Sequence, residues 1–583
     1  MLSRAFCCCF RYYLPNFLRL SITSLFIIFL VSCSSLPYDT LLLTDNQKPI
    51  TATYFDVDIY SFDGIKLRAT VYRPALKPGE TAPVILHAHG FGVFRMSGPV
   101  SMYAKFILSG EAALEAWKQG YWVISYDQRG HGKSGGMIHV SDPEFEGRDL
   151  SAVIDWAQDN LPRLTFKGKD PVIGVVGESY GGGAALMGSI LDKRIDAIVP
   201  FNTWHNIEGS LYPSRVAKSG WLTTLLLAGN VLNPGRMEPF INRSYLDARK
   251  GLVREDVFQE LEDHGAKYYC DKGEPPQADI LFIQGFRDVL FNMNEGFKNF
   301  ECAKKTGKDV RFIGAQRGHL LPFSQFSMVP GYQIERTVHC DGQALNLVDE
   351  TIHWFDEKLK GKEGAAAKIP AICLTQDEKS GTVFSDIPIG GKSYAIRDAS
   401  VTSGFAGFFE LPMRWVDRVK GMFSRDTDKV YYGDLAESGG GFRPAFVPLT
   451  VIESTGTITG IPLAELVIKE SNLENPIMFV GIGIKRKNSN KISLISDQIT
   501  PIKGVGSKKI ELAGISSHVR KGDIIGLVVR SYSDQYRFSG SGWLTEAKFS
   551  GRVELPIQES ASPMPDSYFA SQQMLNDRVI NNE

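Results

Sequence analysis

The 583-residue sequence predicts a doubly wound, mostly parallel α/β sheet with a helical insertion, followed by an all-β sandwich of jelly-roll type. Three observations carry that prediction. Short uninterrupted apolar runs stand at residues 84–89 (VILHAH), 122–126 (WVISY), 172–176 (VIGVV) and 280–283 (ILFI), with amphipathic helical patterns such as 150–160 and 183–193 between them. Strands that are apolar on both faces and alternate with helices belong in a parallel sheet covered on both sides. From residue 369 onward the pattern changes to short strand-like runs split by turns, among them 464–469 (AELVIK), 477–484 (IMFVGIGI) and 524–530 (IIGLVVR). Such repetition marks an antiparallel sandwich.

The elements follow in order. Residues 54–60 and 65–72 alternate polar and apolar side chains around the turn at 62–64 (FDG), which reads as a hairpin at a sheet edge. Between Phe201 and Asp279 lie about 75 residues, more than one crossover helix needs. The apolar stretch 221–228 and the amphipathic stretch 253–264 place a helical lid over about 205–276. The α/β domain spans 54–361 and closes with a helix over 345–360. The linker composition of 361–367 (GKEGAAA) then leads to the β-sandwich at 369–558, with an irregular or partly helical insertion over 400–435 and a polar, disordered tail over 559–583.

Ahead of the folded part, Arg4, Arg11 and Arg19 precede the apolar run 25–31 (LFIIFLV), which is too short to cross a membrane as a stable helix. Basic, apolar and then small residues in that order form a secretory signal. Leu30-Val31-Ser32-Cys33 resembles the bacterial lipobox, so residues 1–33 are read as a lipoprotein signal with Cys33 as the lipidated residue. The expected product is exported and lipid-anchored to a bacterial membrane, the outer one in a two-membraned source. Cys270, Cys302, Cys340 and Cys373 then remain, free to be thiols or to pair in any of three ways. None forms a CxxC pair and no metal-like Cys/His cluster stands out, so no metal or other cofactor is expected. A formal net charge of -1 without a basic stripe excludes nucleic acid as a partner.

The chemistry concentrates at Gly177-Glu178-Ser179-Tyr180-Gly181. A GxSxG pattern alone is weak. Here it follows a buried strand and opens a glycine-rich helix, which is the strand, sharp turn and helix of a nucleophile elbow. Ser179 is therefore the candidate nucleophile, and an acid and a base must follow it in the chain. Asp279 begins its strand, whereas Asp288 lies beyond the carboxyl end of the same strand, where functional side chains of such sheets collect. Of the later histidines, His353 falls inside a helix, His518 lies in the β region, and no strand delivers His339. His319 follows the strand over 310–314 and is the candidate base. The backbone N–H of Tyr180 and that of Phe91, in His89-Gly90-Phe91-Gly92 after the first central strand, are the candidate oxyanion donors. The segment 127–134 (DQRGHGKS) reads as a structural loop beside the site, His131 included.

Taken together, His89-Gly90, Asp127-x-Arg129-Gly130-His131-Gly132-x-Ser134, Gly177–Gly181, the late Asp and the late His resemble the α/β-hydrolase superfamily. Asp149-Leu150 and Asp155-Trp156, the segment 354–361 (WFDEKLKG) and the β-region segments 519–527 and 551–556 narrow the resemblance. They resemble the Xaa-Pro dipeptidyl-peptidase and cocaine-esterase-like group of serine hydrolases. That resemblance implies cleavage of an ester or amide bond in a small ester or short peptide through an acyl-serine. Cocaine-esterase-like members use a Tyr hydroxyl in the oxyanion loop, where this sequence has Phe91. Peptidases of the group must also hold a free α-amine with an anionic or polar group. The rival expectation is a catalytically silent lipoprotein that binds carbohydrate or a protein partner through its β-sandwich.

Overall fold

The computed structural model describes residues 48–319, 335–404, 445–487, 492–540 and 544–559. The segment ending at Cys33, most of the insertion read over 400–435 and the tail beyond residue 559 lie outside the described residues. Residues 400–404 end a strand, Lys392–Gly404.

Ten strands build the central sheet: β1 (Thr53–Tyr60), β2 (Lys66–Arg73), β3 (Val84–Ala88), β4 (Trp122–Tyr126), β5 (Ile173–Glu178), β6 (Ile195–Phe201), β7 (Asp279–Arg287), β8 (Val310–Gly318), β9 (Ile372–Asp377) and β10 (Ser380–Val383). Their spatial order is β1-β2-β4-β3-β5-β6-β7-β8-β9-β10. The pairs from β4 through β9 are parallel. The hairpin β1–β2, its junction with β4 and the pair β9–β10 are antiparallel. Every residue of β3, β4 and β5 is buried, as the uninterrupted apolar runs require of strands covered on both faces. The chain leaves β3 outward for β4 and returns to β5 on the other side. The loops after β3 and β5 therefore meet at a topological switch point, where open α/β sheets form their crevices.

Helices α1 (Leu108–Lys118), α2 (Arg148–Asn160), α3 (Tyr180–Leu191), α9 (Met293–Ala303) and α10 (Leu347–Lys360) cover the sheet. In α2, Leu150, Val153, Ile154 and Ala157 are buried, a spacing that lays one apolar stripe on the sheet. Between β6 and β7 the chain builds a cap of five helices, α4 (Ile207–Leu211), α5 (Ser219–Leu232), α6 (Pro239–Arg249), α7 (Glu255–Glu260) and α8 (Ala266–Asp271). The cap has its own core, in which Trp204, Trp221, Phe258 and Phe291 are buried.

The sheet extends further along the chain than the linker composition indicates. Ile372–Asp377 pairs in parallel with β8, so the β-sandwich begins at Lys392 and not at residue 369. The physical reason lies in residues 372–376, all buried, which form one more strand apolar on both faces. Two disulfides, Cys270–Cys302 and Cys340–Cys373, resolve the cysteine pairing. The first ties α8 to α9 and the second ties β9 to the hairpin strand Thr337–Cys340. With sequence separations of 32 and 33, loop-closure entropy assigns each about 3–4 kcal/mol of stability.

In the β-sandwich, the sheet of Lys392–Gly404, Leu544–Leu555, Leu463–Ser471 and Gly506–Glu511 faces a second sheet. That second sheet contains Ala445–Val451, Ile524–Arg530 and Ile477–Lys485. Leu466, Ile468, Val480, Ile482, Leu527 and Phe549 fill the space between them. The sandwich packs directly on the α/β domain and cap: Val216 joins Phe479 and Tyr536 in one apolar cluster.

Candidate active site

The residue between β5 and α3 has a backbone that few side chains adopt: Ser179 sits at φ 60 and ψ -117. Its N–H donates to the Phe201 carbonyl (2.9 Å), and its own carbonyl accepts from the Thr203 hydroxyl (3.2 Å). The glycines around it are required by close approach. A Cβ on Gly181 would lie 1.9 Å from the Ala88 carbonyl oxygen, and one on Gly177 would lie 2.2 Å from that of Gly181. Strain of this kind persists where the surrounding structure over-determines it, and it aims the hydroxyl away from the sheet.

The three candidate residues for nucleophile, base and acid come together in one line. His319 Nε2 lies 2.8 Å from Ser179 Oγ, and His319 Nδ1 lies 2.7 Å from Asp288 Oδ2. Asp288 is fully buried; its Oδ1 accepts from the N–H groups of Leu290 and Phe291, both at 2.9 Å. The His319 ring is held edge-to-face against Trp221 (5.6 Å) from the cap and Phe291 (5.3 Å). Asp279, at the opposite end of β7, accepts the Asp309 N–H instead. His339 contacts the Glu378 carbonyl, His353 pairs with Glu350 on α10, and His518 bonds Ser380.

Phe91 and Tyr180 line the same pocket as Ser179, with their rings 5.6 Å apart. Around Phe91 the loop is bound on both sides. The Gly90 N–H donates to Tyr103 Oη (2.8 Å) and the Gly92 N–H to His131 Nε2 (3.2 Å). Burial pushes the His131 ring well below its ordinary pKa, so it is neutral and can accept at Nε2 while Nδ1–H donates to the Arg129 carbonyl. The Tyr180 N–H stands in the first turn of α3, where backbone donors have no partner within the helix. Arg129 forms two bonds to Asp149, at 2.7 and 2.6 Å, in a buried pair that anchors the loop after β4. Tyr103 carries no motif that would have marked its part in the loop.

Two further buried charges frame the site without any sequence signal. Lys218, just before α5, donates from Nζ to the carbonyls of Val289 (3.0 Å) and Leu290 (2.8 Å). Burial pushes its ammonium down to about 8, against the opposing pull of Asp288 and Glu295. Arg317 pairs with Glu178 at 2.6 Å, both side chains almost completely buried, tying the His319 loop to the nucleophile turn.

Glu146 lies under Tyr180 and accepts from the His139 N–H (2.8 Å) and the Tyr180 hydroxyl (3.2 Å). Burial pushes its carboxyl up to about 8 from an ordinary value of 4.5. A raised value means that the fold favours the protonated form. The stability it contributes is complete below about 4.5 and is lost as pH rises through about 8. Urea titrations across that window are expected to show wild type losing on the order of 1 kcal/mol per pH unit relative to Glu146→Gln.

Above Ser179 and beneath the cap opens a pocket with about 720 Å³ of empty space, part of it open to solvent. Phe91, Trp204, Leu222, Leu226, Phe240, Val257, Leu290 and Phe291 are among its walls, and no charged residue lines it among the described residues.

A Ser, His and Asp aligned at the carboxyl ends of a mostly parallel sheet, under a helical cap, define an α/β-hydrolase-like protein. More narrowly, residues 63–321 match the family model of X-Pro dipeptidyl-peptidases (S15 family). The chain is similar in fold to a CocE/NonD family hydrolase from Staphylococcus aureus, with a TM-score of 0.61 at 12% identity, over 90% of this chain and 99% of that one. It is similar likewise to an α-amino acid ester hydrolase, with a TM-score of 0.59 at 14% identity, over 88% and 98% of the two chains. In sequence it is 30% identical over 210 residues to the Pseudomonas aeruginosa protein PA2218, covering 36% of this chain and 50% of that protein. The chain spans about half the length of the curated relatives it matches.

Proposed function

We propose that the protein is a serine hydrolase that cleaves carboxylic esters of uncharged, apolar acids through an acyl-Ser179 intermediate. The single observation that carries this reading is the chemistry of the pocket that Ser179 opens into: aromatic and aliphatic walls with no carboxylate among the described lining residues. A peptidase that removes dipeptides from a free N-terminus must bury an ammonium group. Without a partner, that burial costs several kcal/mol. An apolar acyl group has no such requirement and gains from the same walls.

In this reading His319 takes the Ser179 proton at Nε2 as Oγ attacks the ester carbonyl. Asp288 holds the Nδ1–H tautomer and stabilises the imidazolium. The Tyr180 and Phe91 N–H groups receive the negative charge on the tetrahedral oxygen. His319 then protonates the departing alkoxide, and water, activated by the same ring, releases the acid from Ser179. The assembled Ser–His–Asp line speaks against the silent-scaffold alternative, since a binding module does not need the three aligned. The signal-like segment ending at Cys33 supports a tether to a bacterial membrane by lipid, and the two disulfides fit an exported domain.

The test is a panel of p-nitrophenyl esters set beside Ala-Pro- and Gly-Pro-p-nitroanilide. Hexanoate or benzoate esters are expected to exceed both dipeptide anilides in kcat/KM by at least about 100-fold, the equivalent of one unpaired buried ammonium. Preference for either dipeptide anilide would refute the ester reading while leaving the nucleophile assignment open to its own test.

A further inference from the structure

One side chain of the β-sandwich reaches the loop that carries the acid of the triad. Gln498 follows the short turn Ile495–Asp497 and is almost completely buried. Its Nε2 donates to the carbonyl oxygen of Phe286 (2.7 Å) and to that of Asp288 itself (3.0 Å). Both partners are acceptors, so the amide must present its NH₂ group to them. The turn that delivers it is strained: Ser496 and Asp497 stand at φ 55 and φ 58, a region costly for residues other than glycine. Ser496 Oγ fixes this turn by accepting the Ser516 N–H at 3.0 Å.

The opposite side of the acid loop is held by the cap, through Lys218 on the carbonyls of Val289 and Leu290. Inside the loop, the Asp288 carboxylate accepts the N–H groups of Leu290 and Phe291. Four backbone carbonyls, at residues 286, 288, 289 and 290, are thus occupied by side chains from two other parts of the molecule. A buried carbonyl that loses its donor drives local rearrangement. Any rotation of the Asp288 backbone carries its carboxylate away from His319.

We propose that Gln498 is a positioning residue for Asp288, so that the β-sandwich is a working part of the active site and not an appended module. The proposal rests on the serine-hydrolase reading above. It assigns no contact with substrate to the sandwich; its action runs through the backbone of residues 286–288.

The test compares Gln498→Met, which keeps the length and removes the donor, with Asn294→Ala. Asn294 makes two equally buried bonds across the same interface, to the Leu512 carbonyl and from the Gly514 N–H, without touching the carbonyls that Gln498 holds. Gln498→Met is expected to lower kcat for a p-nitrophenyl ester about 10- to 100-fold with KM within about twofold. The far-downfield proton resonance of His319 Nδ1–H is expected to shift or broaden in the same variant. Asn294→Ala is expected to lower Tm while keeping kcat within about twofold of wild type. Gln498→Asn keeps the amide but withdraws it by one methylene, and is expected to show the same loss, so the result does not depend on one variant folding. Folded Gln498 variants with wild-type kcat and an unchanged resonance would overturn the proposal. If wild type cleaves no ester, the functional reading fails, and the resonance alone decides the positioning role.

Discussion

Replacing Ser179 with alanine is expected to reduce kcat for a p-nitrophenyl ester by roughly a million-fold, with the fold unchanged. The size follows from the way the site is assembled. The nucleophile, base and acid form one hydrogen-bonded line, from Ser179 Oγ to His319 Nε2 at 2.8 Å and from His319 Nδ1 to Asp288 at 2.7 Å. Groups that act as a unit lose nearly all of their effect when one is removed, leaving what the oxyanion donors and binding supply. The stability change is expected to be small, because alanine at φ 60 inherits the strain of serine and removes no core volume. Steady-state kinetics with p-nitrophenyl hexanoate, together with thermal unfolding of both proteins, check this. A residual rate within about tenfold of wild type would remove Ser179 from the chemistry.

Asp288→Asn is expected to cost about 10³- to 10⁴-fold in kcat, with KM little changed. Among the described residues, every polar contact of the Asp288 side chain is with a donor: Leu290 N–H and Phe291 N–H at Oδ1, and His319 Nδ1–H at Oδ2. An asparagine has only one acceptor oxygen, so its NH₂ group must face a donor at one end. If the oxygen stays on the two backbone N–H groups, the NH₂ group faces Nδ1. The imidazole then carries its proton on Nε2 and cannot take one from Ser179. Measured kcat and KM for the variant check the prediction, and an unchanged kcat would show that another group orients His319.

The line of Ser179, Asp288 and His319 was legible in the sequence because each residue follows an apolar run that could be read as a strand. Parallel sheets collect functional side chains at the carboxyl ends of such strands. That rule separated Asp288 from Asp279 at the two ends of β7, and His319 from the histidines in helix α10 and the sandwich. What held those residues in place was not legible. Lys218 and Gln498 lie 71 and 210 positions from the carbonyls they bind at Val289 and Asp288, and neither belongs to a local pattern. Trp221, read only as part of an apolar cap helix, packs against the His319 ring because of how the cap folds back. The end of the central sheet was misplaced for a related reason. The linker composition at 361–367 signals a break in the chain, yet residues 372–374 pair with β8 through contacts that lie far away in sequence.

Covalent capture reads the nucleophile without reference to substrate, and Ser179 is the residue expected to react. Treating the protein with a fluorophosphonate and locating the adduct by mass spectrometry of the digested protein identifies the reacting residue itself. The label is expected on the peptide containing Ser179, and absent from Ser179→Ala and His319→Ala under the same conditions. A protein that takes no label, or that takes it on a residue other than Ser179, would show that Ser179 is not the nucleophile.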